Sequence, residues 1–282
     1  MTDCSEKLKE KDFQNWLKAA LAVSIAKKGV EPYVSNTITE FHQKSLKDIL
    51  PTDEIKDEAL CTTCKNNNLL PTTGKTKNVN YRRPDSLPQC PNQVCDRLRT
   101  KIFLSHAHSD PSWRNTQVDK WCHCPWEIAK CYMPPDGYTA ASTCSETDLN
   151  GILSVMMNHL EFTIDKDECQ KARDVTKTVR HSPNLSMNDQ ELEDHLEVLI
   201  NFLDCETYLK NSPTAVAALS DIKKLKEAKL TISTDDITEV LKTYVKDEIK
   251  ESTRRSLDEI DQERRRCLEE IIEEINKLHS TK

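Results

Sequence analysis

The chain has 282 residues, enough for one large or two modest domains. Only 37% are hydrophobic and 31% are charged, so the buried core is not expected to take in the whole length. Four glycines and 5% aromatics argue against a many-stranded β protein, which needs many tight turns, and a formal charge of −7 excludes a general electrostatic pull on nucleic acid.

The start of the chain is charged, without the apolar run of a secretory leader. No stretch approaches the roughly 18 apolar residues of a membrane span. The expected compartment is the cytosol or nucleus, with no membrane partner. There, twelve cysteines read as metal ligands and buried thiols rather than disulfides.

The spacing of Phe13, Trp16, Leu17, Ala20 and Ser24 predicts a helix over 11–28 that stops at Gly29. A second helix is predicted over 32–50, with Pro32 in its first turn and Val34, Ile38, Phe41, Leu46 and Ile49 inward. Over 51–125 the periodicity is lost and prolines, asparagines and threonines accumulate. This stretch reads as an irregular insertion.

The insertion carries Cys61, Cys64, Cys90 and Cys95 in the pattern C-x2-C-x25-C-x4-C. Zinc takes four thiolates in a tetrahedron, and two close pairs separated by a loop supply them. A structural zinc ion is therefore expected. Free thiols and a redox pair are the competing readings, and no βαβ context favours the latter. His106, His108, Cys122, His123 and Cys124 follow and read mostly as surface or supporting groups, with a second metal as the minority option.

The same stretch is locally basic. Lys75, Lys77, Arg82, Arg83, Arg97, Arg99 and Lys101 stand against Asp85 and Asp96, an excess of five positive charges. They are candidates to hold phosphates of RNA. A solvated loop is the equal alternative. Trp113, Trp121 and Trp126 fall within fourteen residues, which reads as packing of the insertion onto a helical core rather than as a base-stacking platform.

Beyond the insertion, Asp148 is an N-cap candidate for a helix with Leu149, Ile152, Leu153, Met156 and Leu160 on one face. Lys166 to Arg180 repeats a stripe through Cys169, Ala172, Val175 and Val179. Pro183 ends it at the polar corner His181-Ser182-Pro183-Asn184. A further helix restarts at Ser186, with Asp189 as a loose capping box, and carries Leu192, Leu196, Leu199, Ile200 and Leu203. Ser212-Pro213 opens another, with Val216, Leu219, Ile222 and Leu225. From Asp236 the chain is charged and helical. Leu268, Ile271, Ile275 and Leu278 are spaced as a short coiled-coil seam, which Asp261 and Arg264 interrupt further back. No phosphate-cradling glycine loop is present, which argues against an NTPase.

Three stretches carry a resemblance: Phe13-Gln14-Asn15-Trp16-Leu17-Lys18-Ala19, Trp126-Glu127-Ile128-Ala129-Lys130 with Tyr132-Met133-Pro134, and the helix–corner–helix around His181-Ser182. Together they resemble an uncharacterised animal family named after an open reading frame on the human X chromosome. The central part also looks like the HEPN domain of the DAZ-interacting ubiquitin ligase group, over Trp126, the Pro134-Pro135-Asp136-Gly137 turn, Asp148-Leu149, His181 and the Leu192-to-Leu203 helix. The resemblance covers about residues 10 to 228.

It implies an all-α, HEPN-like bundle of four or five helices, with RNA binding and common homodimers. Several such domains are metal-independent ribonucleases whose motif is an arginine, four to six residues, then a histidine. Here those arginine positions hold Asp174, Val175 and Thr176. Arg173 misses by one residue and Arg180 adjoins His181. A non-catalytic binding or adaptor protein is therefore expected, engaging RNA or a protein partner. A His181 endoribonuclease using Arg173 or Arg180, and a ubiquitin-ligase adaptor, are the alternatives.

The expected plan is thus an all-α body with an inserted irregular zinc-binding segment and a long C-terminal helix. Residues 10–50 and 126–228 form the bundle, 51–125 the insertion, and 236–280 the terminal helix or coiled coil, with dimerisation through the bundle face or that helix.

Overall fold

Lys11–Ile49 forms one unbroken α-helix of 39 residues, α1, about 58 Å long. The two helices expected over 11–28 and 32–50 are therefore one, and Gly29 is not a stop. The computed structural model describes residues 10–50, 60–70, 90–135, 137–205, 207–227 and 240. The chain divides into two units, Met1–Thr231 and Ile232–Lys282. The expected seam Leu268, Ile271, Ile275 and Leu278 lies outside the described residues.

The remaining elements are α2 (Asn66–Leu69), α3 (Val94–Leu104), α4 (Pro125–Ala129), α5 (Leu149–Asn158), α6 (Lys166–Arg180), α7 (Asp189–Cys205), α8 (Thr207–Lys210) and α9 (Pro213–Lys226). No strand occurs among the described residues, only an isolated antiparallel bridge between His106 and His159. The protein is all-α. α1 is the central rod, and α3, α4, α5, α6, α7 and α9 all pack against it. Trp16, Ala22, Ala26, Val30, Val34 and Ile38 are fully buried along it.

Gly29 serves close packing. A Cβ there would lie 2.6 Å from the Cβ of Ala218 on α9, and Thr214 Oγ1 donates to the Gly29 carbonyl at 2.9 Å. Pro32, three residues on, has no N–H to offer the preceding turn. The Thr214 hydroxyl of α9 serves the Gly29 carbonyl, one residue past the Lys28 carbonyl that an N–H at position 32 would reach. The buried face of α9 is Ala215, Ala218, Ile222 and Leu225, with Val216 about half exposed. The expected stripe through Val216 and Leu219 is displaced because two alanines, not a valine, allow the backbone of α1 to approach.

Asp148 caps α5, accepting the Gly151 N–H at 2.8 Å. α5 ends at Asn158, so Leu160 lies beyond it and is 59% exposed rather than on the buried face. α7 is capped by a reciprocal pair two residues later than expected. Asn188 Oδ1 accepts from Glu191 N at 2.9 Å, and Glu191 Oε2 from Asn188 N at 3.0 Å. Asp189 is then available to bind Lys11 and Asn15 at the start of α1.

The stretch expected to be irregular contains the eleven-residue helix α3, whose buried residues are Val94, Cys95, Leu98 and Ile102. Three tryptophans pack the rest. Trp121 is fully buried and donates to Thr116 Oγ1 at 2.7 Å, Trp126 donates to Thr147 Oγ1 at 3.0 Å, and Trp113 lies against Trp121. α4 and the turn after it hold a buried ion pair, Lys130 Nζ to Glu127 Oε1 at 2.7 Å. Lys130 also donates to the Thr139 carbonyl, and Glu127 Oε2 accepts Gln117 N at 2.9 Å. Each charge therefore has hydrogen-bond partners, the condition for burying it.

Candidate metal centre

Cys61, Cys64, Cys90 and Cys95 are all buried, and their sulfurs lie within 4.8 Å of one another. Two local turns aim them. In Cys61-Thr62-Thr63-Cys64 the Thr63 hydroxyl, the backbone N–H groups of Cys64 and Thr63 and the Cys64 thiol all bond the Cys61 sulfur. In the second pair, Gln93 takes left-handed backbone (φ 58°) and its N–H returns to the Cys90 carbonyl at 2.9 Å. The Asp96 carboxylate accepts the Cys90 N–H at 2.9 Å. The chain turns back on itself, and Cys95 enters on the first turn of α3. That turn is why the wide x4 spacing still converges on the first pair.

Burial raises the Cys61 thiol, but its hydrogen bonds outweigh this and bring it down to about 6. Burial and the Cys61 and Cys90 sulfurs push Cys64 up to about 12. Bonding to the Cys122 sulfur, together with burial, pushes Cys95 well above the ordinary thiol range. Four thiolates at such separations repel, and a divalent cation is the group that offsets them. A tetrahedron with metal–sulfur bonds of about 2.3 Å puts its sulfurs about 3.8 Å apart, which this cluster accommodates. The four sulfurs are close enough to bind a metal ion.

The centre sits where α1, α3 and the 116–124 segment meet. His42 of α1, buried, donates Nε2–H to the Trp121 carbonyl at 2.7 Å. Asn66 clamps the backbone of the 116–118 segment, donating to Thr116 O at 2.7 Å and accepting from Val118 N at 2.8 Å. Sequence reasoning did not single out His42 or Asn66.

The basic candidates are only partly within view. Lys75, Lys77, Arg82 and Arg83 lie outside the described residues. Arg97 donates to the Ile49 carbonyl, Arg99 to the Leu69 carbonyl, and Lys101 pairs with Asp48 at 2.6 Å. These three hold α3 to the end of α1 and to α2.

The minority second metal set is not assembled. Cys61, Cys64, Cys90 and Cys95 are the one potential metal cluster among the described residues. His106 is buried and stacked on Tyr132, Cys124 donates to Ser142 O, and His108 and His123 are exposed. Cys122 instead lies against the first cluster, bonded to Cys95. Nothing in a C-x-C spacing announces that contact.

His181 is exposed at the C-cap of α6. Arg173 Nε donates to Asn150 Oδ1 at 2.8 Å, and Arg180 pairs with Asp148 Oδ2 at 3.0 Å. Tyr138 donates to the other Asp148 oxygen. Both arginines thus brace α6 against the start of α5.

The fold and this centre define an all-α protein with a buried four-cysteine cluster between its central helix and an irregular segment. Over residues 7–281 the chain matches the family described as a domain of unknown function, DUF4559, and it belongs to that family. It is also 23% identical over 227 residues to the mouse (Mus musculus) protein described as uncharacterized protein CXorf38 homolog, a match covering 80% of this chain. The matched region spans 64% of that relative's length. No solved structure matches significantly. Among the described residues, no helix is long and apolar enough to cross a membrane.

Proposed function

We propose that this protein is a non-catalytic adaptor whose HEPN-like helical body carries a zinc-clamped segment to a protein partner. The convergence of four buried cysteine sulfurs carries the reading. An all-thiolate set with no water or carboxylate position suits a closed structural zinc site rather than a catalytic one, which keeps a ligand position open. One zinc ion there ties 60–70, the start of α3 and, through Cys122 and Trp121, α1 into one block.

A protein partner is favoured over RNA. Net charge is −7, and Arg97, Arg99 and Lys101 are engaged within the chain. Leu104 and Leu160, 65% and 59% exposed, lie on adjoining segments joined by the Leu160 N–H to Ser105 carbonyl bond, an apolar foothold. Against the ribonuclease alternative, Arg173 and Arg180 are committed to Asn150 and Asp148, so His181 lacks the partner that would hold a scissile phosphate. A ubiquitin-ligase module with paired zincs would need a second ligand set.

The test is incubation of purified, zinc-loaded protein with single-stranded RNA in buffer without added divalent cations or chelator, beside His181→Ala. The adaptor reading expects no cleavage by either. Cleavage by the native chain that His181→Ala abolishes would overturn it.

A further inference from the structure

We propose that Cys122 is a reserve ligand of the metal centre, placed to substitute for Cys95. The inference rests on the metal reading above and adds a fifth sulfur to it.

Cys122 is 2% exposed. It follows the tight turn Val118–Lys120, which is closed by Trp121 N to Val118 O at 3.1 Å and Cys124 N to Lys120 O at 2.8 Å. The preceding residue is anchored twice, by His42 on the Trp121 carbonyl and by the indole N–H on Thr116. These bonds fix the Cys122 backbone beside the cluster. Its sulfur hydrogen-bonds the Cys95 sulfur and accepts the Cys61 backbone N–H. Cys124, two residues on, faces the Ser142 carbonyl, so the two cysteines of this C-x-C diverge.

Five buried sulfurs therefore serve a centre that coordinates four. The fifth touches one ligand sulfur, Cys95, and the backbone of another, Cys61. The sulfur neighbours of Cys64 are the other three ligands, Cys61, Cys90 and Cys95. The reserve role has the Cys122 side chain rotate, on a backbone held by the Trp121 bonds, into the position that Cys95 vacates. Among the described residues no fifth sulfur is recorded against Cys64. The ligand class is a thiophilic divalent cation, and the prediction is asymmetric: loss of Cys95 is covered and loss of Cys64 is not.

Cobalt(II) titration of the full-length protein, reduced and under inert gas, reads the number of thiolates through the intensity of sulfur-to-cobalt charge transfer. The native chain and Cys122→Ala show a four-thiolate site with one cobalt per chain. Cys95→Ala and Cys95→Ser keep the four-thiolate signature, whereas Cys64→Ala and the double variant Cys95→Ala/Cys122→Ala lose at least one thiolate. A three-thiolate spectrum for both Cys95 variants refutes the reserve role while leaving the metal centre intact. Failure of both Cys95 variants to fold with cobalt present, where Cys122→Ala folds, also counts against it, since a reserve ligand sustains the site. A native chain that binds neither cobalt nor zinc overturns the metal reading itself.

Discussion

The Nε2–H of His42 bonds the carbonyl of Trp121 at 2.7 Å, with both residues buried, and this one bond joins the central helix to the segment that carries Cys122. His42→Ala leaves a buried carbonyl unpaired. The expected loss is about 2 kcal/mol of unfolding free energy, measured by urea denaturation. A loss no larger than that of an exposed control such as His123→Ala would contradict the latch.

His106 and His159 make folding stability depend on acid. Burial, then the His108 charge, lowers His106 to about 4; burial, then the His106 charge, lowers His159 to about 3. Each imidazole uses Nδ1 as an acceptor, from His108 N–H and Glu161 N–H. Both rings pack against Tyr132, and His159 also against Phe41 and Phe162. The unfolded chain takes up these protons near the ordinary histidine value of 6.5, and the folded chain does so only at lower pH. Stability therefore falls as pH drops from about 6.5 towards 4, by on the order of 3 kcal/mol per residue. Urea midpoints across that range measure it, and His159→Phe flattens the slope. A midpoint constant from pH 7 to 4.5 would contradict this.

The Glu127–Lys130 pair is a liability when broken. Lys130→Met leaves the Glu127 carboxylate buried without its cation, at a cost of about 3–5 kcal/mol. Glu127→Gln/Lys130→Met removes both charges and is expected to lose less than Lys130→Met alone. Melting temperatures of the three chains decide it.

At Gly29, alanine has the better helix propensity by up to about 1 kcal/mol. Its Cβ would meet Ala218 at 2.6 Å, so α9 must move away from α1. Gly29→Ala is expected to destabilise by about 1–3 kcal/mol, and adding Ala218→Gly to restore most of it. A stabilised Gly29→Ala would show that the contact is loose.

What the sequence disclosed tracks how local each signal is. The convergence of Cys61, Cys64, Cys90 and Cys95 was legible because ligand chemistry fixes residue type and spacing. The Asp148 cap and the α6 stripe were legible because capping and periodicity are local. The unbroken α1 was not, since Gly29 answers to Ala218 and Thr214, nearly two hundred residues away in sequence. α3 was hidden because Val94, Leu98 and Ile102 stand among charges that serve as tethers to α1 and α2. On α9, Ile222 and Leu225 were legible, while Ala215 and Ala218 were missed because alanine is chosen there for size, not hydrophobicity. For Cys122 the surface and supporting readings both stayed open, because its contact with Cys95 exists only once the 116–124 turn has docked.

Native mass spectrometry of the full-length protein, purified without chelator, tests the central claim most directly. The account predicts one zinc ion per chain, retained by Cys205→Ser and lost or weakened in Cys61→Ser together with a lower melting temperature. A metal-free native chain, or equal melting temperatures for Cys61→Ser and Cys205→Ser, would contradict it.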